Sequence, residues 1–393
     1  MRAKLHRIAL RKSASCIVRY AACATMLLAI SALAHAQNSS PCSPSFPLET
    51  GGGALAWQGA DVGSSIHLPD GRDVWLFGDT LYGPKRVVTG NDPKMVRNSI
   101  GISTCKDGKW HLDYVVKHDK ARNAQSYFEP SDPKTWYWPI DGFFANGDLW
   151  VSMLCVRVPA KPEPSGFGFE ICGTDLAQVS HLDRSPQNWD VKIHHLVPDG
   201  VKAYPSATTF VHNGYAYLFA VYETGKRPLI ATRIPLNKLQ NPASALEYLA
   251  ADETWKPGLH PADAHIVMEH GAPELSIRYH PELQKWIAVM VNPEGFSDQV
   301  LLREAQNFSG PWSTPQVVYH IPEMQPGPSR SKNVFCYAGK EHPELAKRGE
   351  IVFTYACNTF APPELVTMPD IYHPKVVHVP APRPDHQAKH DQQ

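Results

Sequence analysis

Four carboxylates stand where a sheet-forming chain would hold them at strand ends. Asp61 lies in Gln58-Gly59-Ala60-Asp61-Val62-Gly63, and Asp79 in Phe77-Gly78-Asp79-Thr80. Asp141 lies in Trp138-Pro139-Ile140-Asp141-Gly142, and Glu274 in Gly271-Ala272-Pro273-Glu274-Leu275. Each is flanked by Gly or Pro, which permit tight turns and close backbone approach. Each adjoins an apolar run, and a carboxylate at the end of a buried strand must be solvated, paired or put to use. Several converging carboxylates suit glycosidic cleavage: one acid protonates the leaving oxygen, and a second attacks the sugar carbon or activates water. Repulsion between neighbours raises one pKa and keeps a proton available near neutrality. Asp61 and Asp79 are the first candidate pair, and the sequence leaves open which is the acid. Asp141 and Glu274 are further catalytic candidates, to tune the pair, to hold a sugar hydroxyl or, for Glu274, to supply the acid. The competing use of each is to cap backbone N–H groups in a turn.

Candidate substrate-binding groups surround these acids in sequence. Tyr127, Phe128, Trp136, Tyr137 and Trp138 crowd before Asp141, while Trp57, Tyr82, Tyr204 and Phe360 fall near other strand entrances. Flat rings pack on sugar faces, although aromatic residues also build strands and cores. Of these, Trp138 and Tyr204 are the binding candidates. Arg97 and Asn98 enter another early strand as donors. Arg278 and Arg303 would serve an anionic substrate or pair with surface acids. Were the three arginines to converge, with Tyr204 or Tyr355 as nucleophile, a sialidase-like hydrolase of an acidic sugar would be the alternative. A non-catalytic carbohydrate-binding protein is the other, and it predicts acids already tied to backbone N–H groups or cations.

Other chemistries find little support. The histidines form no recognisable ligand motif and no His-Glu-x-x-His occurs, so no metal site and no cofactor is expected. A structural Ca²⁺ among the carboxylates stays open, without an EF-hand loop. There is no Gly-x-Ser-x-Gly elbow, phosphate loop or dinucleotide fingerprint.

The elements that must position the acids are strands. Short apolar or alternating runs are separated by Gly, Pro, Asn and Asp turns, such as Asn146-Gly147 and Asn213-Gly214. They fall into five groups of roughly 50–60 residues, each too open-edged to stand alone. This rhythm predicts an all-β, five-bladed β-propeller over 51–379, closed by the C-terminal strand or the N-terminal arm. Two stacked β-sandwiches are the competing architecture. In a propeller the first strand of each blade lines a central channel, which turns position along the chain into a site.

The stretch Asp61-Val62-Gly63, Asp70-Gly71-Arg72, Trp75-Leu76-Phe77-Gly78-Asp79-Thr80 and Arg97-Asn98-Ser99 resembles the bacterial family called domain of unknown function 4185. The resemblance spans roughly 50–375. Gly310-Pro311-Trp312 with Pro315 is similar to the blade-closing segment of five-bladed glycosidases more broadly. The resemblance implies a five-bladed propeller, a secreted enzyme of the endo-D-arabinanase kind, and an acid pair in the first blade. On this chain that pair is Asp61 and Asp79. Asp141 and Glu274 look like further acidic site residues of such propellers.

Bulk properties agree with an exported sugar-acting protein. Arg2, Lys4, Arg7, Arg11, Lys12 and Arg19 precede an apolar stretch and an Ala34-His35-Ala36 cleavage signal, so 1–36 reads as a signal peptide. Removing it takes away six basic and no acidic residues from 38 of each, leaving a net charge of −6. That argues against a nucleic-acid partner, which needs a basic face. No later stretch is long and apolar enough to span a membrane. Residues 37–50 read as an arm and 380–393 as a disordered tail. Six cysteines remain, and an even count in an exported chain favours disulfides. The pairs Cys155–Cys172 and Cys336–Cys357 flank hairpin-like segments, leaving Cys42–Cys105, although six cysteines allow about 15 connectivities. A monomeric, secreted or periplasmic glycoside hydrolase of a polysaccharide or glycan is the expectation, arabinan-like as the resemblance implies.

Overall fold

The computed structural model describes residues 42–49, 53–85, 95–161, 168–325, 327 and 331–383. The expected signal peptide, most of the expected tail and part of the arm lie outside the described residues. Chain contacts separate 1–40 from 41–393, and only the second unit is described.

That unit is a five-bladed β-propeller, built in chain order. Blade one contains β1 (Trp57–His67), β2 (Arg72–Tyr82), β3 (Met95–Val96), β4 (Ser99–Lys106) and β5 (Lys109–Val115). A short ribbon, β6 (Lys117–His118) with β7 (Ala124–Gln125), leads out of it. Blade two contains β8 (Thr135–Ala145), β9 (Asp148–Arg157), β10 (Glu170–Ser180) and β11 (Asp190–Val197). Blade three contains β12 (Ala203–His212), β13 (Tyr215–Tyr222), β14 (Leu229–Pro235), β15 (Glu247–Leu249), β16 (Trp255–Pro257) and β17 (Ile266–Met268). Blade four contains β18 (Ser276–His280), β19 (Lys285–Val291), β20 (Gln299–Ala305) and β21 (Gln316–His320). Blade five contains β22 (Val334–Glu341), β23 (Glu350–Thr359) and β24 (Lys375–Pro380).

The first strands form the inner ring: β1 packs on β8, β8 on β12, β12 on β18, β18 on β22, and β22 back on β1. The apolar core therefore lies in wedges between blades. One wedge joins Val74, Leu76 and Ile100 of blade one to Leu149, Val151 and Met153 of blade two. Another joins Phe219 and Ala231 of blade three to Ile277 and Ala288 of blade four. A blade buried on both faces explains continuous apolar runs such as Val74-Trp75-Leu76-Phe77, all fully buried.

Among the described residues, neither terminus completes the other's sheet. The C-terminal strand β24 pairs β23 within its own blade. The seam is closed by side chains instead: Thr354 Oγ1 donates to the Gly63 carbonyl at 3.1 Å, and Ser65 Oγ meets His342 Nδ1 at 2.6 Å. The arm braces blade one from outside, where Trp110 and Tyr114 donate to the carbonyls of Ser45 and Pro47. Disulfides join Cys42 to Cys105, Cys155 to Cys172 and Cys336 to Cys357. Gly310-Pro311 is a cis peptide in the turn before β21, the outer strand of blade four.

Candidate active site

Asp61 does not sit in a turn. It occupies a bulge inside β1, where register slips between Ala60 and Val62 and Val62 takes a left-handed φ of 67°. A bulge re-aims a side chain at the cost of a local ladder break. Similar slips occur in β8 at Pro139/Asp141, in β12 at Pro205/Thr208 and in β22 at Tyr337/Lys340. Four of the five inner strands thus break register along their length, which frees side chains and backbone for the channel.

The bulge sets Asp61 over β2 beside Gly78 and Asp79. A Cβ on Gly78 would lie 2.2 Å from Asp61 Oδ1, so only glycine leaves room for that carboxylate. Asp61 Oδ2 accepts a hydrogen bond from the Tyr337 hydroxyl at 2.6 Å, across the seam from blade five. The Tyr372 hydroxyl donates to the Asp79 carbonyl at 2.7 Å and also neighbours the Asp61 carboxyl. Burial, then the Asp79 charge, push Asp61 up to about 8, against the opposing Tyr337 hydrogen bond. Glu274, from the turn before β18, adds a smaller upward push. Burial also raises Glu274, with Lys340 and Arg227 opposing.

Asp79 has a different setting. Its Oδ1 accepts from Trp138 Nε1 at 3.1 Å, and its Oδ2 pairs with Arg97 Nη1 at 3.4 Å. The Arg97 guanidinium also lies over the Trp136 ring, 4.4 Å from its centre. Burial raises Asp79, but Arg97 and Trp138 favour its charged form. Both neighbouring carboxyls are raised above the ordinary value, Asp61 with only hydroxyl groups opposing the rise and Asp79 with a cation and an indole N–H opposing it. Both remain partly open to solvent.

Asp141 is set apart by its surroundings. It is completely buried and receives Ser64 Oγ at 3.0 Å, Gly142 N at 2.9 Å and Thr209 N at 2.8 Å. Arg278 Nη2 and Lys340 Nζ lie 3.3 Å and 3.7 Å from its Oδ2. Burial would raise its pKa, yet Lys340 and Arg278 with the two N–H groups hold it below the ordinary carboxylate value. Lys340 is itself pushed down to about 8, chiefly by burial. This ion cluster ties blades two, four and five together at the axis and leaves Asp141 no face for substrate.

The other candidates divide in the same way. Arg97 and Trp138 join the acid pair. Asn98 is fully buried; its amide donates to the carbonyls of Phe128 and Tyr137 and accepts from Phe128 N, which anchors the 121–139 segment. Arg278 is spent on Asp141, Thr208 and the Thr209 carbonyl. Arg303 stands on β20 opposite Ala288, away from the inner strands. Tyr204 is buried and donates to the Ile171 carbonyl at 3.3 Å. Tyr355 is buried and donates to Glu323 at 2.7 Å. The arginine cluster that a sialidase-like site needs is not assembled from these residues.

Sequence reasoning missed Tyr337, Tyr372 and Lys340. Tyr337 and Lys340 lie on the first strand of blade five, so the rule that selected the acids would have found them had it not been confined to carboxylates. Tyr372 lies between β23 and β24 and reaches the site only through the closed ring.

Similarity to known proteins follows the fold. A "putative hydrolase" from Bacteroides ovatus superposes with a TM-score of 0.64 at 19% identity, covering 86% of this chain and 89% of that one. An α-L-arabinofuranosidase from Podospora anserina gives a TM-score of 0.47 at 11% identity, covering 88% and 96%. An exo-β-1,3-galactanase from Phanerochaete chrysosporium gives 0.45 at 11% identity, covering 82% and 60%. No curated protein matches the sequence. The family resembled in sequence, number 4185, is not the one whose model fits. The matching model is "Domain of unknown function (DUF5005)", over residues 53–381. This chain belongs to the DUF5005 family.

Proposed function

We propose that the protein is an exported glycoside hydrolase that cleaves a neutral glycan with Asp61 as proton donor and Asp79 as nucleophile or base. The observation that carries this reading is the contrast between two adjacent carboxyls. Burial raises both, but at Asp61 like charges add to the rise, while at Asp79 Arg97 and Trp138 oppose it. Environments that push two acids apart in this way assign the acid and its partner. In the reaction, the Asp61 proton passes to the departing glycosidic oxygen as the bond to the sugar carbon breaks. Asp79 either attacks that carbon or takes a proton from the attacking water. Tyr337 fixes the Asp61 carboxyl, and Glu274 adds negative potential that keeps the proton in place.

A neutral substrate fits because the nearby arginines are committed, Arg97 to Asp79 and Trp136, Arg278 to Asp141. The binding-only alternative would have every acid tied to backbone N–H groups or cations. Asp141 meets that description and Asp79 has Arg97 on one oxygen, whereas Asp61 accepts from a phenol and pairs with no cation among the described residues. An arabinan-like polymer, suggested by the sequence resemblance, is the first substrate to try. Three disulfides suit an oxidising compartment. Among the described residues no helix is long and apolar enough to cross a membrane. The reading calls on no cofactor.

The test is release of reducing sugar from arabinan, arabinogalactan, galactan and xylan near pH 7. Release from at least one is expected, and release from none contradicts the proposal.

A further inference from the structure

Beside the acid pair, three phenylalanines form a surface that the reaction above does not use. Phe335 stacks on Tyr337, with centres 5.6 Å apart and planes 22° apart. Phe360 stacks on Phe335 at 4.4 Å and 28°. Phe296 stands edge-on to Phe360 at 5.3 Å and tilted against Phe335 at 5.4 Å. The series starts at the ring whose hydroxyl holds Asp61 and runs outward over blades five and four. Its outer members are open: Phe296 is 59% exposed and Phe360 is 53% exposed.

The fold holds this surface in place. Phe335 lies on β22 opposite Asn358. Phe360 follows β23 directly, and its N–H donates to the Asn333 carbonyl at 3.0 Å. Glu364 gathers Ser331 at 2.7 Å, Asn333 at 3.0 Å and Thr359 at 2.5 Å beneath it. Phe296 comes from the turn joining β19 to β20. Two large apolar rings left open to water on braced segments forgo the burial worth about 1.5–3 kcal/mol for a phenylalanine. A contiguous exposed apolar patch marks a place where something binds.

We propose that Phe296, Phe335 and Phe360 are a stacking platform for a further neutral sugar unit of the chain being cleaved. The proposal rests on the hydrolase reading and names the direction its substrate takes, from Asp61 across Tyr337 and over blades four and five. A pyranose or furanose ring presents an apolar C–H face to an aromatic surface and keeps its hydroxyls in water. Continuity with the Asp61 partner, through stacked rings, selects a glycan over a protein as occupant. Trp138 donates to Asp79 and Trp136 packs edge-on to Trp138 at 6.2 Å, so each acid of the pair has an aromatic group of its own beside it.

The test uses the full chain with Asp79→Asn, which prevents turnover, and calorimetric titration with arabino-, xylo- and galacto-oligosaccharides of two and six units. The six-unit member of one series is expected to bind more tightly than its two-unit member. Adding Phe360→Ala, or separately Phe296→Ala, should weaken the six-unit ligand roughly tenfold, the worth of a lost ring contact, and the two-unit ligand less. Unchanged six-unit binding in both variants overturns the platform, as does an equal loss for both lengths or no binding by any series. Cleavage of a glycan by the wild type with platform variants that bind normally would leave the hydrolase reading standing and remove the platform. Length-dependent loss of binding without any cleavage by the wild type would do the reverse.

Discussion

The Tyr337 hydroxyl donates to Asp61 Oδ2 at 2.6 Å although the two residues lie 276 positions apart, in the last blade and the first. The contact exists only when the ring is closed. It links the proposed acid to the seam that holds the fold, so the candidate site is completed by the final blade.

Tyr337→Phe should therefore change the pH profile as well as the rate. The hydrogen bond stabilises the charged form of Asp61, so its loss moves the Asp61 pKa further up. In the wild type, kcat/KM is expected to fall above about pH 8 as Asp61 loses its proton. The variant should carry that alkaline limb to higher pH. Its kcat should drop about fivefold, near the worth of one hydrogen bond of about 1 kcal/mol. A pH series on both proteins reads both effects.

Gly78→Ala should remove activity with little loss of fold. The new Cβ would meet Asp61 Oδ1 at 2.2 Å, and the carboxylate is the part best able to move. An expected loss of about 100-fold matches a misplaced catalytic group. Far-ultraviolet circular dichroism alongside the assay separates displacement from unfolding.

Asp61 and Asp141 should respond oppositely to Asn substitution. The folded pKa of Asp61 is raised, so its charge opposes folding increasingly as pH rises from the unfolded value of 3.8 towards about 8. Asp61→Asn should then raise Tm near neutrality, by roughly 2–4 °C for each kcal/mol relieved. The folded pKa of Asp141 is lowered, so its charge stabilises above the unfolded value and that help is lost as pH falls through the folded value. Asp141→Asn leaves Lys340 and Arg278 buried without their counter-charge, at a cost of about 3–5 kcal/mol. Thermal melts of both variants across pH 4–8 check the signs.

Cys105→Ser should loosen the arm more than the site. The Cys42–Cys105 bond closes a separation of 63 residues, for which chain entropy gives about 4 kcal/mol as an upper figure. Denaturant midpoints should fall while the pH profile of the remaining folded protein stays in place.

The blades were legible because strands and turns are local. Val74-Trp75-Leu76-Phe77 announces a doubly buried strand, and Asn213-Gly214 a hairpin. The rule that first strands line a channel pointed to Asp61, and the end of the next apolar strand to Asp79, which the structure sets side by side. What that rule could not supply was environment. Asp141 sits on an equivalent strand, yet Lys340 and Arg278 arrive from blades five and four and turn it into a buried ion. Asn98 read as a donor to ligand, but its amide is consumed by Phe128 and Tyr137. Asp61 read as a strand-end residue because Gly59 and Gly63 flank it, whereas those glycines lie within a bulged strand. Closure was also misjudged. A terminal element was expected to complete the ring, and side chains of blades one and five meet across the seam instead.

The central claim is the division of labour between Asp61 and Asp79. The most direct test compares wild type, Asp61→Asn and Asp79→Asn on a glycan and on a dinitrophenyl glycoside of the same sugar. A dinitrophenolate leaves without protonation, so it needs no acid. Both variants should lose about 10²–10⁴-fold on the glycan. On the dinitrophenyl glycoside, Asp61→Asn should keep most of its cleavage rate and Asp79→Asn should not. Wild-type rates on the glycan in either folded variant, or rescue of Asp79→Asn in place of Asp61→Asn, would contradict the account.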